Sequence, residues 1–453
     1  MTGKVQNPAV WCQSLSTANQ SSVEDEVQAE VGVFYSYMSI VAAVACLAVA
    51  PAISAWSDAS GGRKTPLLIS LAGSIVATVI AVACTAPLDL NYYWILVAVA
   101  IANLSGGTVT LISCCFASIN DDSRHPLLNE KEKEEAAGRI SIRIGVGSGL
   151  FILGLLVGSL LSAWAMQTAR YTWPVLGSQL FLDMGFVYAL VLGRETHAGA
   201  LSSRAEDEEG HGLCSALWEK LAEWMGTLRR RRGGRRRFCL LLALALYALE
   251  LLASMYGGVL TQVSLLWAKR EPRAWTDEVF SVYQMWWSAV LGLGMIAMPP
   301  AIQFIARQRE WVVHAGDTMT ALLGTLSTAV YMVALPFAQS TLCIYLVTLL
   351  LLGGAYSPGF RSLISKLVED DETARVMSVV GMLEVLMTMG AASFLYLYKA
   401  TMEWWDGSVF VLSGIIQVFV ALGILVVHQL LKDNEQETLR IVAERSPELT
   451  QDS

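Results

Sequence analysis

Charge is scarce in this sequence. Asp, Glu, Lys and Arg make up 15% of its 453 residues, against roughly 25% in an ordinary soluble chain, while hydrophobic residues reach 54%. The few charges are also clustered, which leaves stretches longer than the about 18 apolar residues that read as a membrane-crossing helix. A soluble enzyme, a disulfide-stapled secreted domain and a disordered chain are excluded together. Histidine is nearly absent: the five (His125, His197, His211, His314, His428) fall in loops or at span ends, so none sits where a mid-membrane proton relay would need it. The eight cysteines show no C-x-x-C or Cys/His spacing, so no metal site is expected. A net charge of −8 argues against nucleic acid as a partner. No cofactor motif emerges either. Gly61-Gly62-Arg63-Lys64-Thr65 lacks the first glycine and the Gly-Lys pair of a phosphate cradle, which disfavours an ATP-driven pump. Residues 1–30 are polar and acidic and do not read as a cleavable signal peptide.

What is there is a series of apolar runs. Eleven candidate spans lie near 31–53, 66–86, 92–117, 142–166, 173–192, 238–267, 279–306, 312–337, 341–360, 376–398 and 409–431. Backbone groups left unpaired in hydrocarbon are costly, so each span is expected to be a helix, broken only where protein or water covers the break. Basic residues are retained on the cytoplasmic side. With the C-terminus cytoplasmic, that side holds 25 Lys and Arg and the other holds 6, namely Lys4, Arg170, Lys269, Arg270, Arg273 and Lys399. The chain then divides into an extracellular or lumenal tail (1–30), an N-terminal bundle (31–192), a cytoplasmic linker (193–237), a C-terminal bundle (238–431) and a cytoplasmic tail (432–453). Asn19-Gln20-Ser21 is a candidate glycosylation site on the outer tail, whereas Asn103-Leu104-Ser105 falls inside a span. The arginine runs 229–232 and 235–237 read as topogenic charge in contact with anionic lipid headgroups.

Ionisable residues inside spans carry the functional signal, because each costs about 2.5–3.5 kcal/mol near the bilayer centre and therefore faces a cavity or a partner. Asp183, Glu250 and Glu384 are such residues, with Arg143, Asp317 and Arg361 nearer the cytoplasmic ends. For Glu250 and Glu384 a proton or substrate role stands beside a purely structural pairing. Arg361 follows Gly353-Gly354-Ala355-Tyr356-Ser357-Pro358-Gly359-Phe360, a stretch that can open a helix, and its planar fork suits an anionic solute. Gly145, Gly149, Gly154 and Gly158 form two G-x-x-x-G spacings and read as close helix contacts. Trp275, Trp404 and Trp405 read as interfacial anchors. Trp286 and Trp287 read as core residues, with stacking on a flat ligand as the other reading.

The loop Ser57-Asp58-Ala59-Ser60-Gly61-Gly62-Arg63-Lys64 resembles the D-x-x-G-R-R/K signature of the major facilitator superfamily, with one extra residue between Asp58 and Arg63. One carboxylate and two cations on a short turn can lock neighbouring helices and release them. In that superfamily this loop joins the second and third helices, so the first helix of the pattern has no counterpart among the eleven spans. A second match is more specific. Arg361-Ser362-Leu363-Ile364-Ser365-Lys366-Leu367-Val368, then Glu372 and the span that contains Glu384, resembles the proton-coupled folate transporter and its solute carrier 46 relatives, over about residues 12–431. The resemblance implies an all-α fold of two six-helix bundles around a central cavity, here in a 5+6 arrangement, and implies gating or substrate-linked roles for Asp58, Arg63 and Arg361. Three positions depart from it. The family's fifth-helix glutamate falls on Ile144, its seventh-helix histidine falls near Met255 or Tyr256, and Cys12 has no partner cysteine in 268–278.

These readings lead to a secondary active transporter of an organic anion, folate-like or other, with protons as a possible coupling ion. Asp58, Gly61, Gly62, Arg63 and Lys64 form its gating motif, Arg361 and Lys366 its cationic contacts, and Glu250, Tyr256 and Glu384 its further substrate or coupling groups. A multi-pass protein of the plasma membrane or an endolysosomal membrane is expected, with membrane lipid and a small solute as partners and the oligomeric state open. The alternative is a truncated, non-transporting isoform or a membrane scaffold. No residue set supports an enzyme.

Overall fold

The computed structural model describes residues 17–57, 62–85, 91–123, 130–168, 172–193, 195, 234–256, 258–309, 311, 314–368 and 373–449. Asp58, Gly61, Cys12, Glu372 and nearly all of the linker lie outside them. The secondary structure of the described residues is helix joined by turns, with no strand among them. The first half contains α1 (Thr17–Trp56), α2 (Lys64–Thr85), α3 (Trp94–Leu104), α4 (Gly107–Ser123), α5 (Glu130–Thr168) and α6 (Thr172–Val191). The second half contains α7 (Gly234–Ala253), α8 (Val259–Lys269), α9 (Asp277–Gln308), α10 (Ala315–Ala334), α11 (Thr341–Thr348), α12 (Tyr356–Leu367), α13 (Thr373–Thr401) and α14 (Ser408–Leu449).

Every expected span falls on a helix or a pair of helices. Among the described residues, eight segments are long and apolar enough to cross a membrane, beginning with Lys64–Cys84 and ending with Ser408–Asp433, and Val33–Val49 and Val175–Val191 are shorter apolar helices. The expected span at 238–267 is two helices, α7 and α8. Met255 (φ 51°) and Gly258 (φ 90°) turn the chain between them through left-handed backbone, which a continuous helix cannot contain. The span at 92–117 breaks likewise at Gly106 and Gly107, and the one at 341–360 passes through a short 3₁₀ segment, Leu349–Gly353, before α12. Helix α1 starts at Thr17, so Asn19 lies in its first turn and not in an extended tail.

The two halves meet along two seams. One joins α5 to α9 and α12, and the other joins α1 and α4 to α13. In the first, the glycine spacing has a visible purpose: a Cβ on Gly145 would lie 2.9 Å from the Met295 carbonyl oxygen, and one on Gly149 would lie 2.8 Å from that of Gly292. Small residues let the two backbones touch. Gly154 and Gly158, the second such spacing, have open space where a side chain would go. In the second seam Ala43 and Cys46 of α1 pack on Val385 of α13.

The interfacial reading of Trp275 does not hold. Its ring is buried against Tyr283, because the 270–276 turn folds back over the bundle, where Arg273 lies over the Trp267 ring and pairs with Asp406. Trp404, 82% exposed, does stand at the surface.

Candidate functional site

Four elements converge on one buried ion pair. Arg361 on α12 and Glu384 on α13 form a salt bridge, with both side chains almost wholly buried. Tyr247 on α7 donates its hydroxyl to Glu384 Oε1 at 2.7 Å, and Tyr256, in the α7–α8 break, reaches Oε2 at 3.4 Å. The break therefore has a local consequence: it delivers a second phenol to the same carboxylate. Ser357 Oγ lies 3.3 Å from the Tyr247 hydroxyl. From the other half of the molecule, the Phe116 ring of α4 sits under the guanidinium, 4.4 Å from Cζ to the ring centroid. Arg361 Nε has no hydrogen-bond partner among the described residues. A cation with one donor uncommitted, held between the two bundles, is chemically suited to an anion.

Glu250 occupies a neighbouring position on α7 and is completely buried. Thr328 of α10 donates to its Oε1 at 3.4 Å, while Oε2 has no partner among the described residues. The link toward the Arg361 cluster runs through Ser254, one turn along, whose Oγ accepts from the Tyr356 hydroxyl at 3.1 Å. Lys366, by contrast, stands apart from this cluster. Its ammonium lies 2.6 Å from Asp317 Oδ2 on α10, and Asp317 Oδ1 also accepts from Ser362 at 3.0 Å and from Gln303 at 3.1 Å. Of the candidates, then, Tyr256, Arg361 and Glu384 come together, Glu250 lies beside them, and Lys366 belongs to a second ionic knot.

The glycine-rich turn before α2 builds a latch. Arg63 is buried, and its Nη1 donates to Ser57 Oγ at 3.0 Å, while Ser57 donates to the Gly62 carbonyl at 2.7 Å. The carboxylate of Glu195, just beyond α6, accepts from the backbone N–H groups of Arg63 (2.7 Å) and Lys64 (3.1 Å), and Lys64 Nζ donates to the Leu190 carbonyl at 2.8 Å. An acid on the first amides of α2 is favoured by the unpaired N–H groups and the helix dipole. Gly62 is favoured by its φ of +65°, and a Cβ there would also displace the Glu195 carboxylate, 2.2 Å away, from the two amides.

Sequence reasoning missed Glu195, Tyr247 and Phe116. Glu195 left a faint signal, as the first acid after the sixth apolar run and a counter-charge to the basic turn. The two aromatics left none, because in an apolar helix they are indistinguishable from core.

A family model described as Major Facilitator Superfamily matches residues 9–392. The chain belongs to the major facilitator superfamily. Among curated relatives, the lysosomal proton-coupled steroid conjugate and bile acid symporter SLC46A3 of Bos taurus is 26% identical over 443 residues, covering 95% of this chain and 87% of that protein. Its Homo sapiens counterpart is 25% identical over 421 residues, covering 92% and 84%. These similarities place the chain with the solute carrier 46 group. Among solved structures, the human organic anion transporter MFSD10 (TETRAN) superposes with a TM-score of 0.59 at 16% identity, covering 87% of this chain and 84% of that one. The proton:xylose symporter XylE superposes with 0.56 at 12% identity, covering 90% and 87%. Both share the fold. The protein is a multi-pass secondary transporter of small organic solutes and not an enzyme.

Proposed function

We propose that this transporter carries an organic anion with protons across an endolysosomal membrane, and that the solute binds between the bundles at Arg361. The observation that carries the reading is the guanidinium between Glu384 and Phe116, with Nε uncommitted. An anionic solute competes with Glu384 for Arg361. Protonation of Glu384 releases the arginine to the solute, and the Tyr247 and Tyr256 hydroxyls stay within reach of the neutral carboxyl, so arrival of a proton and of an anion become one event. Glu250, with one oxygen unpartnered, is a second place where a proton can rest without breaking an ion pair. The solute carrier 46 symporters named above, lysosomal and proton-coupled with steroid conjugates and bile acids, support both the solute class and the compartment.

The test is uptake of a sulfated steroid and a bile acid into vesicles at inside and outside pH values set independently. Arg361→Ala is expected to remove uptake. Glu384→Gln is expected to keep binding but to lose the acceleration by an inward proton gradient. Normal, gradient-driven uptake by both variants would end the assignment.

A further inference from the structure

Away from the sites above, where α10 begins and α14 nears its charged end, the surface holds a cavity of about 360 Å³. Its rim carries Trp311, His314, His428 and Lys432, and its floor includes Met319 and Leu431. We infer that this cavity binds the net negative headgroup of an anionic phospholipid, with the acyl chains lying along the outer groove between α10 and α14.

The lining side chains are cationic or neutral, and two acids close to them in sequence among the described residues are engaged elsewhere. Asp433 accepts from Gln429 at 3.2 Å, and Asp317, three residues from His314, is turned inward onto Lys366 and Ser362. His428 is held by its Nδ1, 2.9 Å from Thr318 Oγ1, which leaves Nε2 as the ring nitrogen for a ligand. Lys432 is exposed, so its ammonium can turn to the ligand without breaking packing. Two imidazoles and an ammonium around one pocket suit a net negative headgroup.

A lipid is favoured over a soluble phosphate because the pocket continues into apolar surface. On α14, Val418 and Leu425 are exposed at seven-residue steps before Lys432, so all three lie on one stripe of the helix. On α10, Leu326 and Val330 extend the line of Met319 and are likewise exposed. A tryptophan at the mouth is the usual residue at the level of the headgroups. The pocket also lies at the end of the bundle where α10 begins and the apolar segment of α14 ends, which the basic-residue count assigns to the cytoplasmic leaflet, where anionic lipid is concentrated.

The experiment is thermal unfolding of the purified full-length chain in detergent, titrated with phosphatidylserine, phosphatidylcholine or inorganic phosphate. Phosphatidylserine alone is expected to raise the midpoint, and Lys432→Gln is expected to weaken its apparent affinity about tenfold while leaving the lipid-free midpoint unchanged. His314→Gln, a second and independent variant, should weaken it too, and Arg307→Gln, an exposed cation outside the pocket, should not. The inference is overturned if phosphatidylcholine or inorganic phosphate gives the same rise, if Lys432→Gln responds as the unaltered chain does, or if Arg307→Gln loses as much as Lys432→Gln.

Discussion

The two halves of the molecule are built differently. In the apolar stretches of α2 to α5, between 17% and 22% of residues are buried, against 39% to 61% in the stretches from α9 to α14. The large buried clusters, around Trp267 with Tyr331 and around Tyr247 with Phe360, draw almost all their members from the second half. So do the buried charges Glu250, Asp317, Arg361 and Glu384, with Arg63 the counterpart in the first half. The lesson concerns where ionic chemistry can be kept inside a membrane. Buried charges need partners fixed at hydrogen-bond range, and only a densely packed body fixes them. The first half contributes a hydrogen-bonded turn at Gly62 and Glu195, an aromatic face at Phe116 and a glycine edge at Gly145 and Gly149.

That contrast can be broken most forcefully at the second ionic knot. Lys366→Met leaves the fully buried Asp317 carboxylate without its cation and is expected to lower stability by about 3–5 kcal/mol, with most of the loss recovered in Lys366→Met/Asp317→Leu. Denaturant unfolding in detergent reads both, and a double variant no better than the single would remove the pair from the account. Next comes the seam: Gly149→Ala forces a methyl against the Gly292 carbonyl and should lower stability by about 1–3 kcal/mol and slow uptake. A smaller effect is expected at the latch. Glu195→Gln keeps the hydrogen-bond acceptor but removes the charge from the first amides of α2, a change of about 0.3–1 kcal/mol, and should show as faster backbone amide exchange at residues 63 and 64. Gly158→Ala, in the open part of the same helix as Gly149, should instead raise stability by about 0.5–1 kcal/mol, since a helix favours alanine over glycine where nothing is met. Equal effects at 149 and 158 would contradict the seam.

Much of this architecture was legible in the sequence, because hydrocarbon allows few alternatives. Apolar run length led to the helical segments, eight of them long and apolar enough to cross a membrane among the described residues, and the placement of ionisable residues within the runs led to Arg361, Glu384 and Glu250. Pairing was not legible. Lys366 reads as a free cation in one dimension, and nothing in its spacing points to Asp317 across a helix pair. The break at Met255 to Gly258 was hidden inside a continuous apolar run, since hydropathy does not register backbone handedness. Tyr247 was invisible for a related reason: a phenol on an apolar helix reads as packing until the carboxylate it faces is known. Trp275 was misread because a tryptophan at a span end marks an interface only if no loop folds over it.

Helix α9 runs for 32 residues, and Gly292 lies at its midpoint. The contact between Gly149 and Gly292 therefore makes a bearing point about 24 Å from either end of the helix, with Pro299 and Pro300 interrupting the hydrogen-bond ladder on one side of it. A tilt of about 10° around such a bearing displaces each end by about 4 Å in opposite directions. With such a tilt, one end of the molecule would widen by about the amount that the other narrows.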